Sequence, residues 1–354
     1  MLHLHNNFCM LKNNPHRGII LWLLSGCFLI YVMVVVGCMT RLTHSGLSIA
    51  DWTVMGSVPP LSEQAWNEHF TTYQQSPEFK LVNSQMSLEE FKSIFWWEYI
   101  HRFIGRSIGL VFFAGFVFFF IKKKFPKTLY PKLFVLVGLG ALQGLIGWWM
   151  VKSGLVKNPA VSHYRLAIHL ISAFTVFAFT LWYALQLIYP KENRKETEGK
   201  KLLPLMNVLF VALIFQIIYG AFVAGLKAGL FYPSWPKMGD EWFPEDTILT
   251  SDSMLKNFTE NGAGVQFIHR SFAFIVTALV AWLWHKSNKL QLNKLQYTGI
   301  TCLIYGITIQ FILGVFTLLY QVPVVLGVLH QTGAFFLFVT SVFLLYHFSE
   351  GVRK

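Results

Sequence analysis

The residues most able to do chemistry lie in the stretch WWEYIHRFIGR at 96–106, which brings Glu98, His101 and Arg102 to the start of a long apolar segment. On a helix, Glu98 and His101 share a face, being three residues apart. A similar run, VQFIHRS at 265–271, carries Gln266, His269 and Arg270. Two further apolar segments hold one histidine each, His169 and His330. Ionisable side chains are costly inside a membrane and mark function or a specific partner.

The elements that must position these residues are membrane spans. The 354-residue chain is 54% hydrophobic and only 13% charged, and its mean hydropathy is +0.49. This composition describes an all-α integral membrane protein rather than a set of soluble domains. Eight spans are expected, at about 18–38, 97–121, 132–151, 163–188, 203–225, 265–285, 297–320 and 324–347. The first is long enough to cross a bilayer and follows a polar start without a cleavage site, so it reads as a retained helix. Long polar segments at 39–95 and 226–262 and a charged linker at 191–201 separate the spans.

The net charge of +12 comes from 29 Lys and Arg against 17 Asp and Glu. In a soluble protein it would suggest nucleic acid. Here the basic residues cluster in short loops: five lysines lie between 122 and 132, with more in the linker and at 286–294. Such loops face the cytoplasm, so both termini are expected there and the two long loops outside. Cys9, Cys27, Cys38 and Cys302 have neither metal-site nor redox spacing, so no disulfide and no thiolate site is expected.

The sequence repeats. Residues 37–56 align without gaps to 220–239, matching Gly46 with Gly229, Trp52 with Trp235 and Met55-Gly56 with Met238-Gly239. His101-Arg102 matches His269-Arg270, Gln143 and Gly147 match Gln310 and Gly314, and His169 matches His330. The expected architecture is therefore two tandem four-helix bundles, 1–195 and 196–354, forming a parallel repeat about the membrane normal.

One intramembrane histidine is most simply a helix–helix hydrogen bond. Two pairs, each contributed by the second and fourth span of a half, suit a haem iron held from both sides within a bundle. Zinc would need further ligands, and a proton relay does not explain the symmetry. Arg102, Arg270 and Arg41 lie near the outer boundary, where a guanidinium fork suits a propionate carboxylate; Arg165 there reads as an interfacial anchor. The halves differ at one informative place, Glu98 against Gln266. Only the carboxylate can act as a base or stabilise a developing cation, which assigns chemistry to the first half and cofactor holding to the second. The simpler role for Glu98 is an ion pair with Arg102 or another arginine.

The motifs TRLTHSGLSIADW (40–52), Pro59-Pro60, FWWEYIHRFIGR (95–106), SHYRLAIHL (162–170), the run 266–270 and LHQTGAFF (329–336) resemble haem A synthase across nearly the whole chain. The long first loop lacks the cysteine pair of some bacterial members, as in the branch that includes the mitochondrial enzymes. The resemblance implies oxidation of the C8 methyl of haem O to a formyl group, through two successive oxidations and a geminal diol that loses water. It implies that His101 and His169 flank the substrate haem, that His269 and His330 ligate a resident haem b, and that Glu98 is the essential glutamate near the methyl. It further implies an inner-membrane location, contact with a haem O synthase, delivery to cytochrome oxidase assembly, and an open question of homo-oligomerisation. A di-haem electron carrier fed by a quinol shares the histidines but gives Glu98 no role. A transporter would want charged residues at mid-membrane, where this chain has mainly Gln143, Gln216 and Gln310.

Overall fold

The computed structural model describes residues 14–49, 58–154, 160–194 and 197–349. Helices dominate it, eight of them long and apolar enough to cross a membrane. In order they are α1 (Arg17–Leu42), the short α2 (Glu63–Gln74) and α3 (Pro77–Leu81), then α4 (Leu88–Ile121), α5 (Tyr130–Gly154) and α6 (His163–Ile188). There follow α7 (Leu203–Gly225), the short α8 (Glu245–Ile248) and α9 (Met254–Thr259), then α10 (Gly262–Ser287), α11 (Lys294–Leu319) and α12 (Val324–Phe348). The spanning members are α1, α4, α5, α6, α7, α10, α11 and α12, with a short 3₁₀ turn extending α7 back to Glu198. Cys27, Cys38 and Cys302 are free thiols; Cys9 lies outside the described residues, as do Asp51, Trp52 and Met55-Gly56 of the repeat.

Local chemistry sets the helix starts. Ser87 and Glu90 form a reciprocal cap, the Ser87 N–H donating to Glu90 Oε2 at 2.8 Å, and Asn293 and Gln296 do the same for α11. Asn261 Oδ1 accepts from the N–H groups of Ala263 and Gly264 at the head of α10. Each such pairing satisfies donors that a helix start leaves open. Past the ends of α1 and α7 the chain turns through His44 and Lys227, at φ of 54° and 53°. These residues occupy the same place in the sequence repeat.

α1, α4, α5 and α6 pack in a ring, each on the next and α6 back on α1. α7, α10, α11 and α12 do likewise. The rings meet through α1, α6, α7 and α12, whose side chains form the largest core, including Ile30, Val34, Phe174, Phe177, Leu209, Leu213, Phe335 and Phe338. Lipid tails are as apolar as these side chains, so the close fit of the surfaces holds the helices together, not escape from water.

One expectation needs correction. The helix that carries the second span starts at Leu88, ahead of the span expected from about 97, because the Ser87 cap nucleates it there. At 1.5 Å per residue, 34 residues measure about 51 Å, against a hydrocarbon core of about 30 Å. α4 therefore projects well beyond the bilayer. Its first turns join α2 and α3 around Tyr73, Phe91, Ile94 and Phe95, with Trp66, Phe70 and Phe79 packed against them. The segment read as polar loop at 39–95 thus contains a small helical module with its own apolar core.

A carboxyl is buried in that module. Glu78 is 7% exposed and accepts from the Tyr73 hydroxyl at 3.2 Å, while Asn83 Nδ2 donates to the same hydroxyl at 2.8 Å. Burial pushes the Glu78 carboxyl up to about 7, and the Tyr73 hydrogen bond draws it partly back. The folded module therefore holds this proton more tightly than the unfolded chain, whose carboxyl titrates near 4.5. Its stability is highest in acid and declines as pH rises from 4.5 towards 7, by about 2 kcal/mol between pH 5.5 and 8. Hydrogen-exchange protection factors over residues 63–81, with the intrinsic pH dependence of exchange divided out, are expected to be lower at pH 8 than at pH 5.5, and Glu78→Gln is expected to remove most of that difference.

Candidate functional site

The four histidines lie at one end of the bundle. His169, His269 and His330 are six or seven residues into α6, α10 and α12, about 10 Å from each helix start. His101 is deeper in the longer α4, at the level where that helix leaves its projecting turns. A glycine of a neighbouring helix abuts each imidazole. A Cβ on Gly37 would lie 3.2 Å from His101 Nε2, and one on Gly147 3.0 Å from His169 Cε1. For Gly220 and His269 the distance is 3.3 Å, and for Gly314 and His330 it is 2.9 Å. Distances this short leave no room for a larger residue unless the ring moves. Backbone, not side chain, forms one wall of each histidine pocket.

Glutamines on the same helices as these glycines fix the backbone of three of the histidines. Gln143 Nε2 donates to the His169 carbonyl at 3.1 Å and lies 3.3 Å from His169 Nδ1. Gln310 Nε2 donates to the His330 carbonyl at 2.9 Å, and Gln216 Nε2 to that of His269 at 3.0 Å. Ser172 adds hydrogen bonds to Gln143 Oε1 and to the His169 carbonyl. Sequence reading saw these glutamines only as interior polar groups. Their signal was the register: Gln143 and Gln310 each stand four residues before the glycine that meets the histidine, so one helix face supplies both contacts.

The His269 and His330 rings face one another with centroids 6.4 Å apart and planes at 79°. The Nδ1 atoms of both are buried without a protein partner. A metal about 2 Å from a nitrogen of each ring, with each ring centre about 1.1 Å further, needs centroids about 6.3 Å apart. Among the described residues no third His, Cys, Asp or Glu joins them in a metal-binding group. The pair fits an iron whose remaining ligands are those of a macrocycle.

The first half adds a charge. Glu98 is 2% exposed, and its Oε2 accepts from the Ser48 hydroxyl at 2.6 Å and the Ile49 N–H at 2.9 Å. Arg102 pairs with Oε1 at 2.6 Å and also donates to the Ile49 carbonyl at 2.9 Å. Glu98 therefore does pair with Arg102, one turn along the same helix face, and together they clip the chain after α1 over the histidine level. In the second half, Gln266 Nε2 donates to the Tyr232 carbonyl at 3.2 Å. Arg270 donates to the carbonyls of Ser234, Pro236 and Lys237, each at 3.0 Å, with its guanidinium over the Trp235 ring. Both arginines following a histidine hold the loop after the preceding span.

Arg41 is elsewhere. Its guanidinium donates to the Ala224 and Gly225 carbonyls, at 2.6 and 3.1 Å, capping the end of α7. Cations suit a helix C-terminus. Arg165 donates to the Trp149 carbonyl and lies over that ring at 4.2 Å. The structure thus brings together Glu98 with Arg102, and His269 with His330, and sets Arg41 between the two halves.

An all-helical, polytopic membrane protein with paired intramembrane histidines is the class that this fold and site define. The model of the COX15-CtaA family, described as cytochrome oxidase assembly protein, matches residues 20–342, and the chain belongs to that family. It is 48% identical over 348 residues to a protein of Flavobacterium johnsoniae named heme A synthase, covering 96% of this chain and all of that one. It is 44% identical to a heme A synthase of Nitrosospira multiformis, over 92% of each chain. It is 43% identical to heme A synthase COX15 of Arabidopsis thaliana, over 92% of this chain and 73% of the plant protein.

The glycine contacts generate a prediction. Gly314→Val is expected to displace His330 and lower the porphyrin absorbance of the purified protein about tenfold, a typical cost of disturbing a metal ligand's support. Gly138→Val, where no described atom lies within 4 Å of the added Cβ, is expected to leave the spectrum at the wild-type level.

Proposed function

We propose that the protein oxidises the C8 methyl group of haem O to a formyl group, giving haem A for cytochrome oxidase. Relatives over nearly the full chain are named heme A synthase, which supports the reaction. The observation that carries the division of labour is the anchored Glu98 carboxylate at a place where the other half has the Gln266 amide. Residues 1–195 form the catalytic half and 196–354 the cofactor half of a tandem repeat. The left-handed turns at His44 and Lys227 and the four glycine–histidine contacts support that repeat.

In the second half His269 and His330 hold the iron of a resident haem b, which supplies one-electron redox chemistry when bound. Gln216 and Gln310 fix the backbone of the two ligands, and Gly220 and Gly314 set the rings. In the first half His101 and His169 flank the substrate haem, oriented by Gly37, Gly147 and Gln143. Arg102, the Ser48 hydroxyl and the Ile49 N–H all hold the Glu98 carboxylate in place. It stabilises positive charge developing at the substrate carbon and takes up the proton released there, with Arg102 holding the spent carboxyl in place. Arg102 and Arg270 neutralise the propionates at the loop-side rim as well as holding the loops.

Both termini face the cytoplasm and the loops after α1 and α7 face outward, in the inner membrane. A haem O synthase acts upstream of it and oxidase assembly follows downstream, the latter supported by the family's description. A di-haem electron carrier would treat its halves alike, and the Glu98–Gln266 difference speaks against it.

The deciding experiment is mass analysis of haems from cells making this protein and a haem O synthase but no oxidase. Haem A is expected, and Glu98→Gln is expected to bind haem yet yield less than about 1% of it, the scale of loss for a removed general base. Wild-type amounts of haem A from Glu98→Gln would remove Glu98 from the chemistry. His269→Ala and His330→Ala are each expected to lose the low-spin haem b spectrum; retention in both would refute the ligand assignment.

A further inference from the structure

The sides of the two halves differ where lipid meets the helices. In the second half, Phe274 of α10 packs against Phe311 of α11 with ring centroids 5.2 Å apart. Trp235 closes on both, 5.7 Å from Phe274 and 5.6 Å from Phe311. Phe311 and Gly314 are three residues apart on one face, and Gly314 abuts His330, so these rings shut the flank of the histidine pocket.

In the register of the sequence repeat the first half has Arg106 in place of Phe274 and Gly144 in place of Phe311. Gly144 stands on the face of α5 that carries Gly147, which abuts His169. Among the described residues nothing lies within 4 Å of a Cβ placed on Gly144, nor of one on Gly138 or Gly140, where the second half has Tyr305 and Ile307. The counterpart of Trp235, Trp52, lies outside the described residues.

Exposure follows the same difference. At 100° per residue, the exposed positions of α5 between 134 and 149 cover roughly 220° of its circumference. Those of α11 from 294 to 319 cover roughly 120°, as a helix packed between two neighbours should. Among the described residues α5 is thus open on its lipid side and also towards α4, at the level of His169.

We propose that the gap between α4 and α5 beside Gly144 is the portal by which the tailed porphyrin substrate passes from lipid into the first-half pocket. The Trp235–Phe274–Phe311 cluster is the plug that keeps the second-half porphyrin resident. The occupant is committed by continuity with the His169 pocket and rests on the substrate proposed above. A flat macrocycle with a long hydrocarbon tail partitions into the bilayer, so a sideways opening lets the ring enter while the tail stays in lipid. Glycine leaves the passage clear, whereas a phenyl ring there would fill it.

The test follows uptake of haem O from phospholipid vesicles by the full-length protein in nanodiscs, by stopped-flow absorbance. Gly144→Phe, whose side chain enters open space, is expected to slow uptake about tenfold at an unchanged final amplitude, as a closed gate would. Gly144→Ala is expected to load at the wild-type rate. The reverse arm follows transfer of the resident haem to apomyoglobin, with Phe311→Gly expected to release it about tenfold faster and Phe311→Leu at the wild-type rate. Wild-type rates for Gly144→Phe or for Phe311→Gly overturn the proposal. Wild-type protein that takes up no haem O overturns it together with the substrate assignment, a failure recognisable because the wild type itself then gives no uptake signal.

Discussion

An imidazole inside a membrane has no water to satisfy its nitrogens, so its direction must be set by what touches it. Here that constraint is met by the approach of a helix backbone. Each of the four histidines leans on a glycine of an adjacent span, and three have their own carbonyl held by a glutamine. Close helix approach at small residues is the main source of cohesion among apolar spans, so the contacts that assemble the bundle also aim the rings. Packing and site are the same interactions, and neither can change alone.

Around this shared frame the halves diverge in charge and in closure. At the loop-side rim, one half carries a buried ion pair with two further hydrogen bonds to its carboxylate, and the other an amide with a single donor contact. A buried pair that satisfied resists rearrangement, because separating its members leaves a charge in a poor solvent. The first half is thus rigid at its rim and open on its flank; the second is held by aromatic rings on its flank. The differences between the halves thus lie beside the histidines as well as in the added module of α2 and α3.

Much of this was legible in the chain. Hydropathy placed α6, α7 and α12 within a residue of their observed ends, since lipid leaves little choice of conformation to an apolar run. The repeat that paired His101 with His269 and His169 with His330 also paired the glycines that meet them, though nothing local says what a glycine faces. The start of α4 was missed because a cap outside the membrane set it, and the helical character of 63–81 because its amphipathic pattern is short. The loop contacts of Arg102 and Arg270 were illegible for another reason. A guanidinium can equally meet a carboxylate or a row of carbonyls, and only the path of the following loop decides.

Arg41 carries a consequence of its own. It belongs to the last turn of α1 and is bonded to the last carbonyls of α7, so the two chain segments that roof the two pockets spring from one fastened point. A displacement of either segment is therefore resisted at the other through the Arg41 hydrogen bonds.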